Sequence, residues 1–144
     1  MEDTHETADL ARQTRDSVSA LARRMRQERP SHGLGLTSTS VLSHLVRTGP
    51  LSPKELATRE GVQPQSLTRQ LAALEERGLI TRRPHEHDRR QVIVEITEVG
   101  RQLVETDRQM RDQWLAKAMA KRLTPVEREV LAAANKLLDL LSET

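Results

Sequence analysis

Apolar residues recur every three or four positions through most of the chain, a spacing that predicts amphipathic helices. The first helical segment covers about residues 8–29 and must end before Pro30. The second begins at Thr37, which we expect to be its N-cap, and ends at Gly49. The pattern therefore predicts two helices before residue 50.

Two capping boxes mark further helix starts. Ser52 and Thr124 are each followed by proline and, three residues on, by a glutamate. Thr97 is the expected cap of a long fifth helix over residues 98–122. A sixth helix follows Thr124 and is strongly apolar on one side, so the C-terminal part of the chain is also predicted to be helical.

Between these segments, a helix is followed by a β-hairpin. Pro64 opens a fourth helix in which Leu67, Leu71 and Leu74 form one apolar stripe. After it, the alternating residues of segments 79–83 and 91–97 predict two strands around the turn at residues 84–88. The predicted fold class is mainly α with a small β-hairpin.

The third and fourth helices, joined by a tight turn at Gly61, predict a helix-turn-helix. In this motif the first residues of the second helix meet base edges in the major groove. The residues that remain exposed there are Pro64, Gln65, Ser66, Thr68 and Arg69. Glutamine pairs with adenine, and arginine pairs with guanine or phosphate. The hydroxyl groups of serine and threonine form hydrogen bonds with bases or with phosphates.

The turn of the hairpin carries a second group of candidate residues. Beside a helix-turn-helix, Arg89 and Arg90 could insert a guanidinium into the narrow minor groove. Asp88 would repel phosphate, so we expect it to hold an arginine in position by a bidentate pair. The alternative is that residues 84–90 form only a hydrophilic turn.

Composition and charge limit the classes of function. The chain has 144 residues and a net charge of +2, with one Trp and no Phe, Tyr or Cys. A core must therefore consist of Leu, Val, Ile, Ala and Met, and disulfides and thiolate metal sites are excluded. No apolar run approaches the roughly 20 residues of a membrane span, and the acidic start is not typical of a signal peptide. We expect a cytoplasmic protein with no membrane partner.

Arginine is concentrated in two stretches despite the small net charge. Residues 11–29 hold six arginines against two acidic residues, and residues 64–91 hold six against four. Either stretch alone suits a solvated helix face, but the second coincides with the predicted helix-turn-helix and hairpin. Double-stranded DNA is therefore the expected partner.

Four segments carry a resemblance to a known family: SPKELA (52–57), QLAALEERGLI (70–80), DRR (88–90) and ITEVGR (96–101). In this order the chain resembles the MarR family of winged-helix transcription regulators over nearly its whole length. The resemblance implies a winged helix-turn-helix core over about residues 37–97, with dimerisation helices over about 8–29 and 98–142. It also implies a homodimer on a pseudo-palindromic operator, usually a repressor relieved by a small molecule, with Arg90 in the minor groove and Asp88 as its partner.

The apolar faces of the first and sixth helices independently predict a homodimer. They exceed what a small winged core can cover, whereas a two-fold dimer would bury them and space two recognition helices roughly 34 Å apart. Packing of both helices within a monomer is the alternative. Two other functions stay open: a sequence-independent architectural DNA binder, and a winged helix that binds proteins.

Other chemistry is weakly represented in the sequence. Met25, His44 and Trp114 are candidates for a pocket that takes a small anion or a lipophile, although His44 and Trp114 also suit a structural role. His85 and His87 have ligand chemistry, but neighbours on a turn point away from one another, so no metal and no cofactor are expected. No nucleophile, base and orienting group can be assembled, and we expect no enzyme activity.

Overall fold

The computed structural model describes residues 2–28 and 32–143, and the predicted mainly helical fold with one antiparallel hairpin is confirmed. The elements within the described residues are α1 (Glu2–Gln27), α2 (Leu36–Thr48), α3 (Pro53–Glu60), α4 (Pro64–Glu76), β1 (Ile80–Pro84), β2 (Val92–Ile96), α5 (Glu98–Arg122) and α6 (Pro125–Ser142).

The chain divides into two compact units. Residues 30–108 form the winged-helix unit, and residues 1–29 with 109–144 form the helical unit. The winged-helix unit is larger than the core predicted over about residues 37–97. It extends further because Val104 and Asp107, on the first part of α5, are both buried.

A leucine-rich core fills the winged-helix unit. Its fully or nearly fully buried side chains are Val41, Leu42, Leu45, Leu51, Leu56, Ala57, Leu67, Leu71, Leu74, Leu79, Ile80, Val94 and Val104. This set contains no aromatic residue, as the composition predicts. Burying one leucine or valine stabilises a fold by about 1.5–3 kcal/mol, so the stripe of α4 is a principal contributor to stability.

The hairpin is joined to a third segment of backbone. β1 and β2 pair from Ile80 opposite Ile96 to Pro84 opposite Val92. Leu51 adds a bridge to Val94 through two backbone hydrogen bonds of 3.1 and 2.8 Å. These bonds extend the sheet and tie the segment before α3 to the middle of β2.

Gly100 allows the first turn of α5 to pass close to the base of the hairpin. A Cβ atom at this position would lie 2.3 Å from the carbonyl oxygen of Leu79 and 2.7 Å from Cγ1 of Ile96. Thr97 caps the same turn, accepting a hydrogen bond from the N–H of Gly100 at 3.1 Å and donating one to the carbonyl of Gly78 at 2.6 Å. The prediction that Thr97 caps α5 is confirmed.

Two predicted helix starts are wrong. α1 begins at Glu2 rather than near residue 8. The N-cap of α2 is Gly35, and Thr37 lies inside the helix. The helix begins earlier because Leu34 already packs on the core and its N–H is held by His32 Nδ1 at 3.0 Å.

The helical unit exposes large apolar side chains on α1 and α6. The most exposed are Leu10, Val18, Leu21, Val126, Val130, Leu137, Leu140 and Leu141. No residue of α6 is buried in the single chain. Within the described residues, no helix is both long and apolar enough to span a membrane.

Candidate nucleic-acid interface

The turn between α3 and α4 is built by local hydrogen bonds that the sequence specifies. Ser52 and Glu55 form the predicted capping box, with Ser52 N–H to Glu55 Oε2 at 2.7 Å and Glu55 N–H to Ser52 Oγ at 3.1 Å. Gly61 ends α3 with φ +67°, a backbone conformation that favours glycine. The N–H of Val62 donates to the Ala57 carbonyl at 3.0 Å. This hydrogen bond closes the C-terminal end of α3 just before α4 begins.

α4 presents a polar surface at its N-terminal end because its leucines are buried. Leu67, Leu71 and Leu74 have at most 2% of their surface exposed. The five predicted contact residues are all exposed: Pro64, Gln65, Ser66, Thr68 and Arg69. The first turn of α4 contains no acidic residue, so the positive end of its dipole is available to an anion.

Six arginines lie between residues 64 and 91, and three of them have protein partners. Arg82 donates to Glu75 at 2.9 and 3.2 Å, and Arg83 donates to Glu95 at 3.0 and 3.2 Å. These hydrogen bonds raise the pKa of both guanidinium groups, and the bond from Arg82 lowers the pKa of Glu75. Arg77 donates to the His32 carbonyl at 2.8 Å.

The other three arginines are Arg69, Arg89 and Arg90, and they are exposed. Within the described part of the chain, none of their side chains has an ion-pair or hydrogen-bond partner. They lie on the exposed side of α4 and in the turn of the hairpin. The unpaired arginines of this stretch are therefore those that the sequence predicts to contact DNA.

The predicted bidentate pair between Asp88 and an arginine is wrong. Across residues 32–143, no ion pair joins Asp88 to Arg89 or Arg90. Asp88 Oδ1 accepts the backbone N–H of Arg90 at 3.1 Å, and its carbonyl accepts the N–H of Gln91 at 3.0 Å. A hydrogen bond from the backbone two residues on to Asp88 restricts only the short aspartate side chain. An ion pair would also restrict the long arginine side chain, so it would cost more conformational entropy. Asp88 shapes the turn and leaves both guanidinium groups free.

His85 also stabilises the backbone of the turn. His85 Nδ1 accepts the N–H of His87 at 3.1 Å, and the His85 N–H donates to the Gln91 carbonyl at 2.9 Å. Among the described residues, no group of three or more His, Asp or Glu side chains is placed to hold a metal ion.

Of the residues predicted to form a ligand pocket, His44 is engaged by other side chains. Its Nε2 lies 3.1 Å from Glu60 Oε1, and its Nδ1 accepts from Arg47 at 3.1 Å. Ser40 donates to the same glutamate, which links α2 to the end of α3. His44 belongs to the winged-helix unit, whereas Met25 and Trp114 belong to the helical unit.

Sequence reasoning missed one buried polar pair. His32 Nε2 lies 3.1 and 3.2 Å from the two carboxylate oxygens of Asp107, whose exposure is 1%. The spacing indicates only the burial of Asp107, which follows Leu103 and Val104 by one helical turn on the inward face of α5.

Comparisons with known proteins agree with this geometry. The model of the MarR family matches residues 34–92. An HTH-type transcriptional regulator of Mycobacterium bovis is 39% identical over 138 residues, which cover 95% of this chain and 96% of the relative. The crystal structure of a transcriptional regulator from Pseudomonas aeruginosa is 32% identical, with a TM-score of 0.87 over 96% of this chain and 97% of that chain. A mutant MarR from Escherichia coli is 26% identical, with a TM-score of 0.77 over 90% and 95% of the two chains.

Proposed function

Because this chain belongs to the MarR family of DNA-binding transcriptional regulators, we propose that it is a repressor that binds a pseudo-palindromic operator as a homodimer. The observation that carries the proposal is the distribution of arginine partners. Arg82 and Arg83 are neutralised by glutamates of the same unit, whereas Arg69, Arg89 and Arg90 are exposed and have no ion-pair partner among residues 2–28 and 32–143. Those free charges lie where a winged helix meets the duplex.

We propose that the N-terminal turns of α4 enter the major groove. Gln65 has the amide geometry that pairs with adenine, and Arg69 has the fork that pairs with guanine O6 and N7. Ser66 and Thr68 supply hydroxyl groups to base edges or phosphates. The unopposed dipole at the start of α4 favours a phosphate there.

We assign the turn of the hairpin to the minor groove. Arg89 and Arg90 are two free guanidinium groups on a turn that Asp88 holds through its backbone. A/T-rich stretches have a narrow minor groove with enhanced negative potential. The flanks of each half-site are therefore expected to be A/T-rich.

The homodimer is supported by the apolar surface of the helical unit. Leu137, Leu140 and Leu141 are each more than 60% exposed in the single chain, and Leu10 of α1 is exposed to a similar extent. Apolar patches of this kind are typical of protein interfaces. A two-fold axis would place two recognition helices about one helical turn of DNA apart, roughly 34 Å, which fits a pseudo-palindrome.

Release of the operator by a small molecule is also part of the proposal, because MarR family regulators are often controlled by small-molecule ligands. The assignment of Met25, His44 and Trp114 to the ligand stays a prediction. A repressor acts where the DNA is, so we place this protein in the cytoplasm.

The test of the proposed function is a fluorescence-anisotropy titration with DNA from around the protein's own gene, beside a scrambled duplex, over a salt series. A specific regulator should prefer the native duplex by about 4 kcal/mol or more and show a steep salt slope. Equal affinity for both duplexes would favour an architectural DNA binder. No affinity for any duplex would favour a module that binds proteins.

A further inference from the structure

The chain passes between the helical unit and the winged-helix unit at two places. The first crossing comes after residue 29, and the second comes after residue 108, within α5. His32 is the third residue of the winged-helix unit, and Asp107 is its last residue but one. The buried pair that these two residues form therefore lies beside both crossings.

The two crossings differ in backbone stiffness. At the second crossing, α5 runs without interruption from Glu98 to Arg122, and residues 101–122 contain no proline, glycine or serine, where sharp helix kinks usually occur. At the first crossing, residues 32–35 are neither helix nor strand, and Gly33 has a φ of +74°. A single helical connection can still twist and curve gently, so a second fixed connection is needed to remove that freedom.

His32 supplies this second connection through three hydrogen bonds. Its Nε2 lies 3.1 and 3.2 Å from the carboxylate oxygens of Asp107 on α5, and its Nδ1 accepts the N–H of Leu34, just before α2, at 3.0 Å. Its carbonyl oxygen accepts from Arg77, at the C-terminal end of α4, at 2.8 Å. With His32 held in this way, only residues 30 and 31 separate the anchored position from the helical unit.

The pair specifies one arrangement, which apolar packing alone would not do. The side chain of Asp107 is 1% exposed and that of His32 is 10% exposed. A buried carboxylate is costly unless it is hydrogen-bonded, so Asp107 is satisfied only while His32 stays in place. Apolar side chains can pack in several ways, whereas a buried hydrogen bond requires one geometry. The pair therefore holds the first crossing against α5 in a defined position.

We propose that His32 and Asp107 are positioning residues for DNA recognition. Their bond anchors the first crossing on α5 and thereby sets the distance between half-sites that the dimer accepts. The inference rests on the proposed homodimer and its pseudo-palindromic operator. Loss of the bond leaves the contacts of each α4 and hairpin turn intact and relaxes the required distance between the two half-sites.

The first test varies the distance between the half-sites of the native operator. One inserted base pair moves a half-site by about 3.4 Å and rotates it by roughly 35°. Anisotropy titrations at one salt concentration give the affinity of the full-length protein for the native duplex and for duplexes with one base pair inserted or removed. Asp107→Ala and His32→Ala break the pair, and Asp107→Asn keeps an acceptor oxygen. Val94→Ala, in the hairpin, destabilises the same unit without touching the pair.

The native protein should lose at least about tenfold in affinity when one base pair is inserted, because the two half-sites are no longer reached together. Asp107→Ala and His32→Ala should lose less than about threefold between the same two duplexes. Asp107→Asn and Val94→Ala should stay close to the native ratio. A role in stability alone would not separate Asp107→Ala from Val94→Ala in this ratio.

Hydrogen exchange of the protein without DNA is the second readout. Asp107→Ala keeps the imidazole that accepts the N–H of Leu34, so faster exchange there reports release of the loop rather than loss of the acceptor. Residues 33–36 should exchange at least about tenfold faster in Asp107→Ala than in Val94→Ala, since local opening is measured separately from global unfolding. Circular dichroism checks the fold of each variant, and the two breaking variants are independent, so the test survives if one of them does not fold.

Three results would overturn the inference: the native protein binds the native and lengthened duplexes equally, the breaking variants keep the native ratio, or residues 33–36 exchange equally fast in Asp107→Ala and Val94→Ala. A native protein that binds no duplex would refute the proposed function instead. The exchange measurement would then still decide whether the pair anchors the first crossing.

Discussion

The imidazole of His32 is bound at both nitrogens, and its Nε2 faces the two oxygens of buried Asp107 at 3.1 and 3.2 Å. Nδ1 accepts the N–H of Leu34 at 3.0 Å, so the proton of the neutral ring lies on Nε2 and is donated to the carboxylate. The carbonyl of the same histidine accepts from Arg77, at the C-terminal end of α4. His32 therefore ties α5 and the C-terminal end of α4 to one loop.

Loss of this carboxylate should destabilise the winged-helix unit. Asp107→Ala leaves the Nε2–H of His32 without its acceptor in a buried site, which costs about 1 to 3 kcal/mol of unfolding free energy. Asp107→Asn keeps an acceptor oxygen and should lose less. Urea unfolding measures both variants, and an alanine variant as stable as the native protein would rule out this role.

Gly100 should tolerate no side chain. In Gly100→Ala the new Cβ meets the Leu79 carbonyl oxygen at 2.3 Å, so the backbone must shift, with an expected loss of about 1–3 kcal/mol. Gly35→Ala is the matched control, because its φ is −71° and its Cβ has nothing within 4 Å, so that it loses only the preference of an N-cap for glycine over alanine. Equal unfolding free energies for the two variants would contradict the close packing of α5 on the hairpin.

The capping boxes should make the free energy of unfolding fall at acidic pH. The backbone N–H of Ser52 holds the pKa of Glu55 below its ordinary value of 4.5, and the N–H of Thr124 does the same for Glu127. Because the pKa of each carboxyl group is lower in the folded state, this stabilisation is complete above pH 4.5. It is lost as the pH falls through the folded-state pKa values.

The variant E55Q/E127Q should therefore lose less stability than the native protein when the pH is lowered below 4.5. Thermal unfolding over a pH series gives the comparison. Parallel pH profiles for the two proteins would show that the two carboxylates do not contribute in this way.

The exposed leucines of α6 should hold the dimer together. Leu137→Glu combined with Leu141→Glu places two charges in the proposed interface, and sedimentation equilibrium should then find a monomer at concentrations where the native protein is a dimer. Val99→Glu changes a residue of similar exposure in the winged-helix unit and should leave the dimer intact. A native protein that sediments as a monomer would contradict the homodimer.

Much of the fold was predictable because it is encoded locally. Ser52 with Glu55, Thr124 with Glu127, and the leucine stripe of α4 all act within a few residues, and the structure confirms each of them. The start of α2 was missed because a tertiary contact of Leu34 overrides the cap offered by Thr37.

The exposure of the candidate residues was predictable from the sequence, but their contacts were not. The exposure of Arg69 and Arg90 follows from the pattern of buried leucines and from the hairpin. The pairing of His32 with Asp107 spans 75 residues, so no local spacing reveals it. The bond from Arg90 N–H to Asp88 depends on the backbone geometry of the turn, which a residue pattern does not specify.

The most direct test of the central claim compares the unpaired and paired arginines in DNA binding. Anisotropy titrations of the native operator at one salt concentration should show Arg69→Ala weaker by about 1 to 3 kcal/mol, with specificity relaxed at one base position if Arg69 contacts a base. Arg90→Ala should lose most at sites with A/T-rich flanks. Arg128→Ala, which removes the same charge from α6, should bind nearly as the native protein does. If Arg69→Ala and Arg90→Ala bind as tightly as Arg128→Ala, the surface formed by α4 and the hairpin turn does not contact DNA.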